Sequence, residues 1–169
     1  MNYNLAIIGG GPAGYDAAAT AAKKGLSVVL FEKSALGGTC LNVGCIPTKT
    51  LLYSSKLYYN AVNGSKYGIK VENPTFEYDK TVSRKNKIIR KLNAGIRSKM
   101  TNNNVTVITG TANVVKNENG IITILCGETE YTAEKLLVCT GSKVAIPPIP
   151  GVDTASYWTS TEALETKEV

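Results

Sequence analysis

Cys40 and Cys45 stand five residues apart in GGTCLNVGCIPTK, residues 37–49, between glycines and just ahead of Pro47 and Lys49. Such a pair can staple a loop, ligate a metal or exchange electrons. In an ideal helix, residues five apart lie ~8–9 Å apart at Cα, and a disulfide tolerates at most ~7 Å. The two can therefore bridge only where the helix start is distorted. Gly37, Gly38 and Gly44 relax the backbone there, and Pro47 withholds the N–H that would close a turn onto residue 43. A helix N-terminus favours the thiolate, and Lys49, one turn after Cys45, adds a positive charge on the same face. A loop this small gains little stability from closure. Zinc would need more ligands, and the chain has no histidine and no second close cysteine pair. The pair reads as a redox switch, with no metal. Cys126 and Cys139 stand singly in apolar strands and read as core.

A second chemistry-bearing stretch lies near the start. Gly9, Gly11 and Gly14 form G-x-G-x-x-G after the apolar run Asn4-Leu-Ala-Ile-Ile8. In that pattern the first glycine permits a tight turn, the second admits a pyrophosphate to the backbone, and the third lets helix and strand pack closely. A helix following from Pro12 would offer its N–H groups and positive dipole end to phosphates. Glu32, eighteen residues past Gly14, is placed to accept hydrogen bonds from a ribose. An acid rather than an arginine at that point disfavours a 2′-phosphate, so FAD or NAD fits better than NADP.

Elements that position these groups follow from periodicity. Residues 4–8 and 26–31 read as buried parallel strands around an alanine-rich helix from Pro12 to Lys24, one right-handed strand–helix–strand unit. Residues 40–62 predict a second helix with a disturbed start, ended by Asn63-Gly64. Tyr78 to Met100 predicts a long amphipathic helix with Val82, Ile89, Leu92, Ile96 and Met100 on its apolar face. A strand at 105–108 follows. Residues 112–115, 121–126 and 129–132 read as a small antiparallel meander, turning at Asn119-Gly120 and Gly127-Glu128. A separate strand, 136–139, runs into Thr140-Gly141-Ser142. Pro147, Pro148, Pro150 and Gly151 form a stiff linker, and the last eighteen residues show no core of their own. The fold class is α/β: a Rossmann-like parallel sheet with helices and the meander.

The whole is 169 residues, 43% hydrophobic and 19% charged, as in an ordinary globular protein with one principal core. No apolar run approaches the ~20 residues of a membrane span. Leu5-Ala-Ile-Ile8 is too short, and lacks the basic flank, for a signal peptide. A cytoplasmic location is the expectation, and there a framework of structural disulfides is disfavoured. The net charge of +6 gathers largely between Lys80 and Lys99, without interleaved aromatics, and reads as a solvated helix face rather than a nucleic-acid or membrane surface.

Taken together, GGTCLNVGCIPTK, the GGGPAG loop and Glu32 resemble the flavin-dependent pyridine nucleotide–disulfide oxidoreductases, and among them the dihydrolipoamide dehydrogenases. LLVCTGS, PPIPG and STEAL extend the resemblance over nearly the whole chain. Glutathione and mercuric reductases share the cysteine spacing, and a non-catalytic flavin-binding module is the alternative from another class. The resemblance implies FAD at the nucleotide site, with Gly9, Gly11, Pro12, Ala13 and Gly14 around its pyrophosphate and Glu32 and Lys33 near its adenosine ribose. It implies Gly37, Gly38, Thr39 and Cys40 on the ribityl and flavin side, and Lys49 near the reactive flavin nitrogen. Gly110 and Ala112 would lie near the adenine, and Thr140, Gly141 and Ser142 beside the flavin nucleotide. Cys45 would lie against the flavin ring and Cys40 would exchange with a dithiol substrate.

Residues 1–146 would then be the first, incomplete part of an FAD-binding domain, and 147–169 a linker into an NAD domain. Members of this kind continue into that NAD domain, a further flavin-domain stretch and a dimerisation domain. The chain is thus expected to be an amino-terminal part, inactive alone. In the full enzyme a homodimer would oxidise the lipoyl group of a 2-oxo acid dehydrogenase or glycine cleavage complex, with NAD⁺ as final acceptor.

Overall fold

A computed structural model describes residues 2–167, so Met1 and residues 168–169, the outer ends of the two expected segments, lie outside the described residues. The chain divides into two compact units. One comprises residues 1–39 and 92–143, the other residues 40–91 and 144–169.

The first unit is built on a sheet. Among the described residues six strands form it: β1 (Asn2–Ile8), β2 (Val28–Glu32), β3 (Thr106–Thr109), β4 (Ala112–Glu118), β5 (Ile121–Cys126) and β6 (Thr129–Val138), in the order β3-β2-β1-β6-β5-β4. β1 pairs in parallel with β2, Leu5 opposite Val28, and with β6, Ala6 opposite Leu136; β3 adds in parallel to β2. β5 and β4 continue antiparallel, with a bulge between Val114 and Lys116.

The side chains of β1 and β2 alternate between two cores, as the pleat requires. Ile7, Val28 and Leu30 pack with Ala18 and Ala19 of helix α1 (Pro12–Lys23) and with Met100 and Val105. Ala6, Val29 and Phe31 pack with Ile124, Cys126 and Ala133, and Phe31 meets Tyr131 edge-on at 5.2 Å between ring centres. Each fully buried Ile, Leu, Val or Phe contributes roughly 1.5–3 kcal/mol of transfer free energy.

Residues 129–132 and 136–139, expected as separate strands, form the single strand β6. Its residues Ala133 and Thr132 pair with β5 on one side and with Tyr3 and Asn2 on the other, so the meander's last strand is also the fourth parallel strand. No glycine or proline interrupts residues 129–138, and nothing local required the break.

The second unit carries helix α2 (Gly38–Val43) from Cys40 onward, helix α3 (Cys45–Val62), a 3₁₀ turn (Gly64–Tyr67), the first part of helix α4 (Tyr78–Asn102) and the short helix α5 (Ser160–Glu165). The expected helix 40–62 is thus two helices, because Gly44 adopts φ −143°, ψ −112° and breaks the run. Leu92 is exposed rather than on the apolar face of α4. At 3.6 residues per turn it lies about 80° from the stripe through Val82, Ile89 and Met100. Lys85, at the edge of that stripe, is buried instead. Helix α5 was not expected. Its signal is the capping box T-S-T-E: the Thr159 hydroxyl accepts from the Thr161 N–H, and Glu162 accepts from the Thr159 N–H at 2.8 Å. The Thr159 hydroxyl, then backbone N–H groups, hold the Glu162 carboxyl below its ordinary range.

Candidate functional site

The C-terminal ends of the parallel strands converge on one edge of the sheet in the first unit. The Gly9 N–H donates to Phe31 O at 2.8 Å, the Gly110 N–H to Glu32 O at 2.9 Å, and the Cys139 N–H to Ile8 O at 2.8 Å. Ligands of open α/β sheets bind at this edge.

The three glycines of the loop have separate duties. Gly9 has φ +109° and lies with its Cα against Cys139 O, so a side chain there would be strained and also blocked. At Gly14 a Cβ would fall on Gly9 O, inside any permitted contact, so the first turn of α1 can pack on β1 only because residue 14 is glycine. Gly11 is different: a Cβ there would meet only the Gly38 Cα, at 3.7 Å. Its φ of −73° suits any residue. Nothing in the described fold requires glycine at 11. Gly11 is the N-cap of α1, and among the described residues no side chain caps that end. Pro12 and Ala13 are exposed, and the first turn, Pro12-Ala-Gly-Tyr15, holds no acidic residue to compete with an anion.

Glu32 ends β2 beside this loop. Its Oε2 accepts from the Gly10 N–H at 2.7 Å, and its Oε1 from the Ser34 N–H at 2.9 Å and the Ser34 hydroxyl at 3.1 Å. Oε2 thus keeps one lone pair for an incoming hydroxyl. Gly10 and Ser34 were not singled out from sequence, although the triple glycine and the E-K-S run carry the signal. Replacing Glu32 by Gln would set an NH₂ donor against a backbone N–H. Glu32→Gln is therefore expected to lose about 1–3 kcal/mol, read as a lower melting temperature.

The remaining expected positions fall as follows. Gly37 donates its N–H to Gly10 O at 2.8 Å, and the Gly38 Cα packs against Gly11. Lys33 and Thr39 are exposed. Gly110 follows β3 at φ +153° with its Cα pressed on Cys126 Sγ, Ala112 begins β4, and Thr140, Gly141 and Ser142 are exposed past the end of β6. Cys126 is buried and Cys139 half-buried, both as free thiols, in keeping with their reading as core.

In the second unit Cys40 and Cys45 form a disulfide, with their Cα atoms 4.6 Å apart. The break at Gly44 supplies the distortion the spacing demanded, since a continuous helix would hold them ~8–9 Å apart. Cys45 is the first residue of α3, where the helix dipole favours a thiolate leaving group. Pro47 is buried in the first turn, where its missing N–H is harmless, and the Thr50 hydroxyl donates to Ile46 O at 2.8 Å. Cys45 and Lys49 are exposed and Cys40 is half-buried. Among the described residues no group of three or more His, Cys, Asp or Glu side chains could hold a metal ion. Among the described residues no helix is long and apolar enough to cross a membrane.

Comparison with known sequences and structures bears on what these two sites are. The family profile described as pyridine nucleotide-disulphide oxidoreductase matches residues 3–169. The chain belongs to that family.

Similar members include dihydrolipoyl dehydrogenase of Zymomonas mobilis, 35% identical over 97% of this chain and 35% of its own length. Mitochondrial dihydrolipoyl dehydrogenase 1 of Arabidopsis thaliana is 39% identical over 98% of this chain and 33% of its own. Among solved structures, the copper(II) complex of the HOCl-induced flavoprotein disulfide reductase RclA from Escherichia coli superimposes with a TM-score of 0.79 at 32% identity, covering 99% of this chain and 35% of that one. The chain thus spans about a third of the length of the family members it resembles.

Proposed function

We propose that the chain carries two working parts of a dihydrolipoyl dehydrogenase: the dinucleotide cradle that holds FAD and the disulfide that oxidises a dithiol. The observation that carries this reading is the Cys40–Cys45 disulfide at the N-terminus of α3, in a chain whose similar relatives include dihydrolipoyl dehydrogenases.

The cradle suits the group. Gly11, Pro12 and Ala13 present open backbone and an uncapped helix end to a pyrophosphate, and Glu32 keeps an acceptor for the adenosine ribose. In this reading Lys33, Gly37, Gly38, Thr39, Gly110, Ala112, Thr140, Gly141 and Ser142 serve the same cofactor, and Lys49 its flavin end. Held there, FAD would supply two-electron redox chemistry between the reduced cysteines and NAD⁺.

The chain's own step is thiol–disulfide exchange. A substrate thiolate attacks Cys40 Sγ and the S–S bond breaks toward Cys45, which leaves as a thiolate favoured by the α3 dipole. The second substrate thiol then loses its proton and attacks its own partner sulfur in the mixed disulfide. Cys40 leaves, the substrate is released as a cyclic disulfide, and two electrons remain on the cysteine pair.

The substrate in this reading is the lipoyl group of a 2-oxo acid dehydrogenase or glycine cleavage complex, the full enzyme is a homodimer, and the location is cytoplasmic. Residues 1–146 serve as part of the FAD domain and 147–169 as the linker toward an NAD domain. Incubation of the chain with FAD, desalting and treatment with a dithiol is expected to give a retained flavin spectrum that gains a long-wavelength band. A colourless protein would overturn the claim that these residues hold FAD themselves.

A further inference from the structure

Lys85 is the one charged side chain that is buried among the described residues, 3% exposed, and neither proposed site uses it. Its ammonium donates to Leu164 O at 2.5 Å, in the last turn of α5. Two helical turns earlier on α4, the Tyr78 hydroxyl donates to Thr166 O at 3.2 Å, just past the end of α5. Both bonds lie within the second unit and join residues 79 and 88 positions apart in sequence.

The segment they grip has no buried core among its described residues. Among the described residues of 144–167 none is buried, the three prolines cannot donate backbone hydrogen bonds, and α5 is only 6 residues long. A helix of that length does not persist by itself in water. Its C-terminal carbonyls carry the negative end of the helix dipole, which suits a cation.

We infer that Lys85 and Tyr78 form a two-point latch that fastens the otherwise coreless strap 144–166 onto α4, and that release of the latch frees the strap while the folded sheet stays intact. The latch is a conformational device independent of FAD binding and of the cysteine chemistry. Burial pushes the Lys85 ammonium below its ordinary range, and Glu165 opposes this by attraction. A buried amine with that balance adds little global stability, in line with buried ionic groups whose main return is a defined geometry.

The test is hydrogen–deuterium exchange on the full chain. The amides of Ala163 and Thr166, bonded to Thr159 O and Glu162 O, report on α5, and those of α1 report on the sheet unit. Lys85→Met is expected to speed exchange at the α5 amides about tenfold, since a hydrogen bond from a charged group is lost, with the α1 amides unchanged. Tyr78→Phe, a mild change that keeps the ring, is expected to act on the same amides by about threefold, and it decides the matter if Lys85→Met does not fold. Unchanged α5 exchange in the folded variants, or equal acceleration in α1, would overturn the latch.

Discussion

Gly14→Ala is expected to lower the melting temperature by about 6–12 °C, whereas Gly11→Ala leaves it nearly unchanged and instead weakens FAD binding. The two glycines stand three residues apart in one loop, so the contrast separates packing from ligand approach. A Cβ at residue 14 would fall on Gly9 O, and Gly9 cannot yield, because its Cα is already pressed on Cys139 O at a φ only glycine readily adopts. The relief must come from α1 backing away from β1. That opens a gap beneath Ala18 and Ala19, which are packed against Ile7 with essentially no exposure. Forced shifts and lost contacts in a closed core cost about 3 kcal/mol, and 1 kcal/mol moves a domain of this size by about 2–4 °C.

Gly11 has a backbone any residue can adopt and no neighbour nearer than 3.7 Å to a new methyl. Thermal unfolding should therefore change by less than about 0.5 kcal/mol. The methyl would stand where a pyrophosphate must approach the backbone, and a loss of FAD affinity of tenfold or more is expected by titration. Gly11→Ala binding FAD as well as the parent would remove the cradle from the proposal.

The same loop shows what a sequence can and cannot disclose. Glycine spacing after an apolar run identifies a strand–turn–helix, because the close contacts at Gly9 and Gly14 leave no room for a side chain. The cysteine bridge was legible in the same way, since five-residue spacing on a helix fails geometrically and glycines nearby offer the escape. Less legible were features set by partners far along the chain. That Glu32 is held by Gly10 and Ser34 depends on how β2 ends against the loop. That 129–138 is one strand depends on its having neighbours on both sides, β5 and β1, which local pattern does not state. Lys85 looked like one more cation on a solvated basic face. Its burial follows from Leu164 and Glu165, nearly eighty residues later.

The proposed roles of the two cysteines separate most sharply in single serine variants. Either Cys40→Ser or Cys45→Ser should reduce dithiol oxidation by the full-length enzyme at least about 10³-fold, because loss of one member of a unit that acts together removes most of its effect. Rate alone therefore cannot tell them apart. Spectra can. Cys40→Ser leaves Cys45 unpaired at the first residue of α3, a helix end without an acidic residue in its first turn, where the dipole favours the thiolate. With FAD bound, that thiolate is expected to give the long-wavelength band before any reductant is added. Cys45→Ser can supply no such thiolate, and the band should stay absent even after dithiol treatment, with FAD still retained. The thiolate requirement adds a pH test: the Cys40→Ser band should fade on acidification as the thiol is protonated, while the main flavin absorption persists. If the band instead accompanies Cys45→Ser, the order of the two sulfurs is reversed and Cys45 is the one that meets substrate. If neither variant shows it while both hold FAD, the disulfide does not work through the flavin at all.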